Sequence, residues 1–195
     1  MKKYFIIIIF AFFCKVYGQS TFEFKFQNSY QISNLKSINI ITKKFFLLSD
    51  NNLNYFSLHY YSSRDRKKKL IDRVEFSPYA STLYSYKLKD NNSYIIFWET
   101  EYEYYPIVKV YYIINDRLHK IGELMISLPC KTCESFEYPL KKVKVLKKGN
   151  EIQISFLEDV NCKLKESSKW KFFKKGAVTY LYNTKTDSLT IKKND

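Results

Sequence analysis

Apolar and polar residues alternate along most of this chain with a period of two. The segment TFEFKF places Phe22, Phe24 and Phe26 on one side, and EIQISF does the same with Ile152 and Ile154. Successive side chains of a β-strand point to opposite faces of the sheet, so this alternation indicates strands that are buried on one face. No window shows a convincing helical stripe.

Short polar segments separate the alternating stretches and contain residues that tolerate tight turns. Asn115 and Asp116 lie between two apolar runs, Gly149 and Asn150 between two others, and residues 183–187 form a longer polar link. Strands are predicted at 22–26, 37–42, 44–48, 54–61, 70–76, 83–88, 94–101, 107–114, 117–128, 140–146, 151–157, 170–173, 178–182 and 189–192, some of which must merge or fail to form. This spacing predicts an all-β protein, an antiparallel meander of roughly 11–12 strands that forms a sandwich or a barrel.

The first 20 residues differ in composition from the rest of the chain. Lys2 and Lys3 precede an apolar run, which is followed by Gly18 and Gln19. This is the layout of a secretory signal peptide, and the run of about ten residues is too short to span a bilayer. The layout resembles the export signals of AT-rich Gram-negative bacteria. We therefore expect residues 1–18 to be removed and residues 19–195 to form a single all-β domain, secreted or periplasmic, with no transmembrane segment in the mature chain.

Cys14 raises an alternative, because bacterial lipoproteins are cut before a cysteine at the end of such a run and are anchored by a lipid on it. The residue before it is Phe13, where lipoprotein processing normally requires a small residue. Anchoring at Cys14 is therefore the minor alternative for localisation.

The chain is strongly basic. Removal of residues 1–18 deletes three of its 33 basic side chains and none of its 19 acidic ones, which leaves 30 against 19 and a net charge of +11. An excess of this size favours contact with polyanions. For an exported chain we expect an acidic glycan, lipopolysaccharide or an envelope protein as the partner, and nucleic acid is disfavoured because no groove-reading arrangement is present. The alternative is that the lysines only cover solvated faces.

One lysine cluster is the candidate binding segment, although it is a speculative one. It contains Lys141, Lys142, Lys144, Lys147 and Lys148. Aromatic residues make up 18% of the chain, and pairs such as Tyr111-Tyr112 place one ring on each sheet face. Tyrosine beside lysine suits carbohydrate or protein binding, whereas core packing is the simpler explanation for most of the rings.

Cys130 and Cys133 form a C-x-x-C pair, and Cys162 stands alone. A redox pair normally lies at a helix start in a βαβ unit, which is missing here. A zinc site would need Cys162 together with His119 or His59. The interpretation that suits an exported chain is a structural disulfide from Cys162 to Cys133 or Cys130, with one thiol left over. We expect neither a metal ion nor a cofactor.

The segment WETEYEYYP places Glu99, Glu101 and Glu103 on one face of a strand, about 6–7 Å apart. Carboxylates at this spacing can hydrolyse glycosides or bind a cation such as Ca²⁺. A charge ladder with neighbouring lysines, such as Lys87 and Lys109, is the simpler interpretation. With three glycines left after residue 18, no Gly-rich phosphate loop can form.

The sequence favours a non-enzymatic exported β-domain of the cell envelope or periplasm, which binds its partner through a basic, aromatic surface. A secreted hydrolase acting through the Glu99, Glu101 and Glu103 strand is the alternative. No protein family is recognised in residues 19–195.

Overall fold

The computed structural model describes residues 20–32, 39–40, 45–50, 55–62, 66–75, 81–89, 93–102, 105–115, 117–127, 139–163 and 169–194. Its strands are β1 (Thr21–Ile32), β2 (Asn39–Ile40), β3 (Phe45–Asp50), β4 (Tyr55–Ser62), β5 (Lys67–Glu75), β6 (Ser81–Leu88), β7 (Tyr94–Tyr102), β8 (Tyr105–Ile114), β9 (Arg117–Leu124), β10 (Ile126–Ser127), β11 (Val143–Lys148), β12 (Glu151–Phe156), β13 (Val160–Lys163), β14 (Trp170–Phe173), β15 (Val178–Asn183) and β16 (Ser188–Lys193). A 3₁₀ turn at Pro139–Lys141 is the one helical element in these ranges. The predicted all-β class is confirmed.

The strands form three antiparallel sheets. The largest has nine strands in the order β16-β15-β12-β11-β1-β6-β7-β8-β9, and the others have the orders β2-β3-β4-β5 and β10-β13-β14. Strands β6 to β9 follow one another as a meander, as predicted. Strand β1 then joins this meander to the hairpins β11-β12 and β15-β16, because it pairs with β6 on one side and with β11 on the other.

Most predicted strand boundaries shift by one to three residues, and three predicted strands differ more than that in kind. The predicted 117–128 strand breaks at Met125, because β10 leaves the large sheet and pairs with β13, an element that the sequence pattern missed. The start of the predicted 140–146 strand is instead the 3₁₀ turn. Strand β1 runs on to Ile32 through a bulge between Phe26 and Asn28, which interrupts the strict alternation.

The large sheet is buried on two faces over β6 to β9. Its inward face holds the main core, which includes Phe24, Phe97, Tyr112 and Ile154. Its outward face over these strands packs against Leu58 of β4 in a second, smaller core. The pair Tyr111-Tyr112 shows the consequence: the rings lie on opposite faces as predicted, but both are buried, because the four-stranded sheet covers Tyr111.

The two edge strands of the large sheet, β9 and β16, approach each other, so the sheet is nearly barrel-shaped. Gly122 of β9 lies at this seam with a φ of +147°, and a Cβ at this position would lie 3.0 Å from Cδ2 of Leu189 on β16. Glycine suits the position for two reasons: it adopts this φ without steric cost, and it leaves room for the leucine.

Replacement of Gly122 by alanine is expected to lower the free energy of unfolding by about 1–3 kcal/mol, because the side chain strains the backbone and meets Leu189. Urea denaturation measures the loss. Gly176→Ala is the matched control, since Gly176 also has a positive φ of +74° but has open space where the Cβ would lie. Equal losses for the two variants would contradict a tight seam between β9 and β16.

The predicted turns are confirmed where the structure describes them. Asn115, Gly149 and Asp187 all have a positive φ, of 48°, 58° and 52°. In the last hairpin the Asn183 side chain accepts hydrogen bonds from the backbone N–H groups of Lys185 and Thr186 at 2.9 and 3.2 Å. Over the described ranges, no helix is long and apolar enough to cross a membrane. Residues 1–19, which include the predicted signal peptide and Cys14, lie outside those ranges.

Candidate functional site

The predicted lysine segment does not form one patch, because its members point in different directions. Lys144 and Lys148 are exposed on the outward face of β11, and Lys141 is exposed in the 3₁₀ turn. Lys142 forms an ion pair with Glu158. Lys147 shares the inward face with Val145, and its Nζ donates a hydrogen bond to Oη of Tyr112 at 3.0 Å. Alternation on a strand thus divides a cluster that is contiguous in sequence.

A row of basic residues instead runs across neighbouring strands of the large sheet. Lys25 of β1 follows Phe24, which is paired with Val145, so Lys25 lies beside Lys144 of β11. On its other side Lys25 is the direct register partner of Lys87 on β6. Adjacent strands are about 4.8 Å apart, so three lysines follow one another across the outward face. We call Lys144, Lys25 and Lys87 the basic row.

Polar and aromatic side chains extend the basic row in both directions. Lys87 pairs in register with Tyr94 of β7, and its Nζ lies 5.6 Å from the centroid of that ring. On the other side, Lys144 is followed in register by Ser155, Thr179 and Lys192 on β12, β15 and β16. These register partners include no acidic residue. Glu23, two residues along β1, forms an ion pair with Lys25.

The acidic candidate Glu99 lies on the inward face of β7 and is buried, with 8% of its surface exposed. Tyr84 of β6 donates its hydroxyl to Oε2 of Glu99 at 2.9 Å. Burial, and next the charge of Glu99, raise the pKa of Tyr84 above its usual value, so this hydroxyl keeps its proton and remains a donor. The contact joins two adjacent strands inside the core.

The predicted ladder between Glu99 and Lys109 is wrong, because the two side chains lie on opposite faces of the sheet. Glu99 is the register partner of Val108, while Lys109 is the partner of Trp98 on the outward face. The prediction that Glu99, Glu101 and Glu103 share one face stays a prediction, because Glu103 and the side chain of Glu101 lie outside the described residues.

Among the described residues Cys162 forms no disulfide, and it is buried on β13, opposite Ile126 of β10. Burial raises the pKa of this thiol to about 12. Cys130 and Cys133 lie outside the described residues, so the proposed disulfide from Cys162 to either of them is not seen and stays a prediction. Within the described ranges, no three histidine, cysteine or acidic side chains come together as a metal site.

A buried polar network on the outward face was missed by the sequence analysis. Asp72 of β5 accepts a hydrogen bond from the Tyr111 hydroxyl at 2.5 Å and forms an ion pair with Lys109 at 3.1 Å. Lys120 of β9 lies 3.9 Å from the same carboxylate. The network ties the four-stranded sheet to the large one. No local signal in the sequence identifies it, because Asp72 meets its partners only once the two sheets have packed together.

Comparison with protein-family models, with curated proteins and with solved structures finds no match to this chain.

Proposed function

We propose that this protein is an exported, non-enzymatic binding protein of the cell envelope or periplasm, whose ligand is an anionic carbohydrate: an acidic glycan or the phosphorylated sugar part of lipopolysaccharide. The single observation that carries the proposal is the basic row, in which Lys144, Lys25 and Lys87 occupy neighbouring strands and Tyr94 follows them.

The energetics of the basic row favour an anionic ligand. Like charges directly opposite each other on a sheet are destabilising, and Lys25 and Lys87 are direct register partners. Lys25 has 65% of its side chain exposed, and its ammonium group is paired with Glu23, so an anionic ligand would share or displace that contact. An anion placed along the row would attract all three ammonium groups. The gain on binding is this attraction, less the cost of moving Glu23 away from Lys25.

The aromatic end of the basic row suits a carbohydrate. Tyr94 is half-buried: it packs against the edge of the second core and has the Lys87 ammonium over its ring, so only the remaining exposed part of the ring is available to a ligand. An aromatic ring offers an apolar contact to a sugar face while the neighbouring cations bind its acidic groups. At the opposite end of the basic row, the hydroxyl side chains of Ser155 and Thr179 continue the same outward face.

The hydrolase alternative receives less support from Glu99. A general acid or base must come within about 3 Å of the substrate atom that it serves. Glu99 is buried, and its carboxylate already accepts the Tyr84 hydroxyl. We therefore assign Glu99 a structural role in the proposed function.

The proposal is tested by neutralising the basic row. In Lys25→Gln/Lys144→Gln, affinity for purified lipopolysaccharide or for an acidic glycan is expected to fall about tenfold or more, since each lost contact to a charged group costs about 1.4 kcal/mol or more. Surface plasmon resonance on immobilised ligand measures this affinity. Both side chains are exposed, so the fold is expected to survive.

Two controls separate the basic row from net charge and from catalysis. Lys171→Gln/Lys185→Gln changes the net charge equally at exposed positions on β14 and in the last hairpin turn, and should leave the affinity nearly unchanged. Glu99→Gln should also leave it unchanged. Equal loss of affinity in the two double variants would mean that binding depends on net charge and not on the basic row. Loss of a hydrolytic activity in Glu99→Gln, with the fold retained, would contradict the binding proposal and favour the hydrolase alternative.

A further inference from the structure

A second cluster of polar side chains lies inside one end of the large sheet. This end, which we call the turn end, carries the connections β6-β7, β8-β9, β11-β12 and β15-β16. Lys147 is the last inward-facing residue of β11, and Tyr112 and His119 face it from β8 and β9. Strands β11 and β8 are four places apart in the sheet order, so the contact between Lys147 and Tyr112 spans the interior of the nearly closed sheet.

The cluster contains more hydrogen-bond donors than acceptors. The Lys147 ammonium has three N–H groups and donates one to Oη of Tyr112 at 3.0 Å. Because Tyr112 Oη is the acceptor there, its own proton is left to donate, and no described group accepts it. Within the described ranges, Lys147 forms no ion pair with a carboxylate. The ammonium also lies 5.6 Å from the centroid of the Tyr112 ring, a cation–π contact that offsets part of the cost of its partial burial.

His119 adds a further donor beside the first two. It is the direct register partner of Tyr112, and the centroids of the two rings are 6.0 Å apart. The ring is half-buried, and its nitrogens have no hydrogen-bond partner among the described residues. An imidazole in either of its neutral tautomers carries one N–H. The set therefore brings an ammonium, a phenol and an imidazole next to one another, with Tyr112 the most buried of the three.

An exposed apolar ring completes the cluster. Phe22 is the register partner of Lys147 and shares the inward face with Phe24, yet 43% of its surface is exposed. A large apolar side chain next to a cation that has no carboxylate partner among the described residues suits a small organic anion, because a few polar groups can fix its orientation while an apolar wall supplies contact area. The mouth of a barrel-like sheet is a common place for such sites.

We propose that the turn end binds a small organic anion, a carboxylate or phosphate group carried on a ring. Lys147, Tyr112 and His119 donate hydrogen bonds to its oxygens, and Phe22 packs against its ring. This site is separate from the basic row, which lies on the outward face of the same strands, and it does not depend on the proposed function.

Asp187 places a negative charge at the turn end. Tyr182 at the same end donates its hydroxyl to Oδ1 of Asp187 at 2.6 Å. This carboxylate opposes an anion, so Asp187→Asn is expected to strengthen binding. Asparagine tolerates the positive φ of 52° at this position and can still accept the Tyr182 hydroxyl, so the backbone and the hydrogen bond are retained.

The experiment is titration of the protein with phenyl phosphate, benzoate, inorganic phosphate and phenol, followed by ¹H–¹⁵N NMR of the backbone amides. We expect phenyl phosphate or benzoate to bind, and the one that binds more tightly identifies the acid group. Inorganic phosphate should bind more weakly because it lacks the ring, and phenol should bind more weakly because it lacks the negative charge. The shifted amides should belong to β8, β9 and the ends of β1 and β11.

Variants of two lysines on β11 distinguish binding at the inward face from binding at the outward face. Lys147→Met should weaken binding about tenfold or more, and Lys147→Arg should retain most of it. Lys144→Met, on the outward face of the same strand with the same change in net charge, should have no effect. Tyr112→Phe keeps the ring and removes the hydroxyl, so it should weaken binding by a smaller factor and serves as the test if Lys147→Met does not fold.

Three results would overturn the proposal: no binding of either ring-bearing anion, equal binding of phenol, or an equal loss in Lys144→Met and Lys147→Met. The last result would show that binding follows net charge and not a site at the turn end. Failure here leaves the carbohydrate proposal intact, because that proposal is measured on lipopolysaccharide or glycan with variants of Lys25 and Lys144.

Discussion

Above about pH 10 the protein is expected to unfold cooperatively within about two pH units. The reason is a set of tyrosine hydroxyls in the two cores, each with a pKa raised above the usual value of 10.0. They are Tyr84, Tyr86, Tyr111, Tyr180 and Tyr182. Burial is the main cause in every case, and it raises the pKa of Tyr86 to about 12.

The sign of the effect follows from proton linkage. A tyrosine with a folded-state pKa above its unfolded value stabilises the fold fully below about pH 10, and this contribution is lost as the pH rises toward the folded value. Each group then costs about 1.4 kcal/mol per pH unit in that window. Several such groups that titrate over the same window lower the stability by an amount comparable with that of a typical domain, about 5–15 kcal/mol.

Circular dichroism and the absorbance of tyrosinate, recorded over the same pH series, check this expectation. The chain has 18 tyrosines, so part of the tyrosinate signal comes from groups other than these five. The five buried hydroxyls should add a cooperative step that coincides with the loss of the strand signal, because they ionise only when the protein unfolds. Complete ionisation of all the tyrosines with the strand signal intact would show that these hydroxyls are accessible in the folded protein, which is the opposite of the packing described here.

Tyr180→Phe is the informative variant for this transition. The Tyr180 hydroxyl is buried and has no conventional hydrogen-bond partner among the described residues, although the Cys162 thiol lies near it and also raises its pKa. Removal of this hydroxyl should therefore cost little at neutral pH, and it should move the alkaline midpoint upward. Tyr86→Phe differs, because Tyr86 donates a hydrogen bond to the backbone oxygen of Leu140, which the variant would lose.

Replacement of Asp72 by leucine is expected to lower the free energy of unfolding by about 3–5 kcal/mol. Lys109 has 8% of its surface exposed, and Asp72 is its ion-pair partner at 3.1 Å. The same carboxylate accepts the Tyr111 hydroxyl. Removal of Asp72 leaves a cation buried between the two sheets beside the Trp98 ring, with its charge uncompensated by any described acid.

A double-mutant cycle tests whether the loss comes from the uncompensated charge. Lys109→Met in the Asp72→Leu protein should restore much of the stability, because two apolar side chains then occupy the space between the sheets. Urea denaturation followed by circular dichroism measures the free energy of unfolding of each variant. If the two single losses simply add, the side chains do not interact, and the contact between the sheets is made by apolar packing alone.

The sequence pattern predicted the local elements well and the assembly poorly, for a physical reason. Alternation is a local property, so β12, β15 and their turns followed from the residues themselves. The position of β1 between β6 and β11, and the departure of β10 from the large sheet, depend on pairing between distant segments. A pattern of period two shows which face of a strand is buried, but it does not show which strand lies next to it.

The same distinction applies to the candidate sites. The lysine segment at residues 141–148 was visible in sequence, but its alternation sends Lys147 inward and Lys144 outward, so its members belong to two different surfaces. The basic row was invisible, because Lys25, Lys87 and Lys144 become neighbours only through sheet order. The face of Glu99 relative to Trp98 was predicted correctly. Its partner was not, because Tyr84 comes from another strand.

The salt dependence of ligand affinity tests the central claim, that the basic row binds an anionic carbohydrate, most directly. Affinity for lipopolysaccharide or an acidic glycan would be measured at about 0.05 M and about 0.5 M salt, where the screening length falls from over 10 Å to below 5 Å. The account predicts a steep loss in the wild-type protein and a much shallower one in Lys25→Gln/Lys144→Gln. Affinity that does not change with salt, or that falls equally steeply in both proteins, would contradict it.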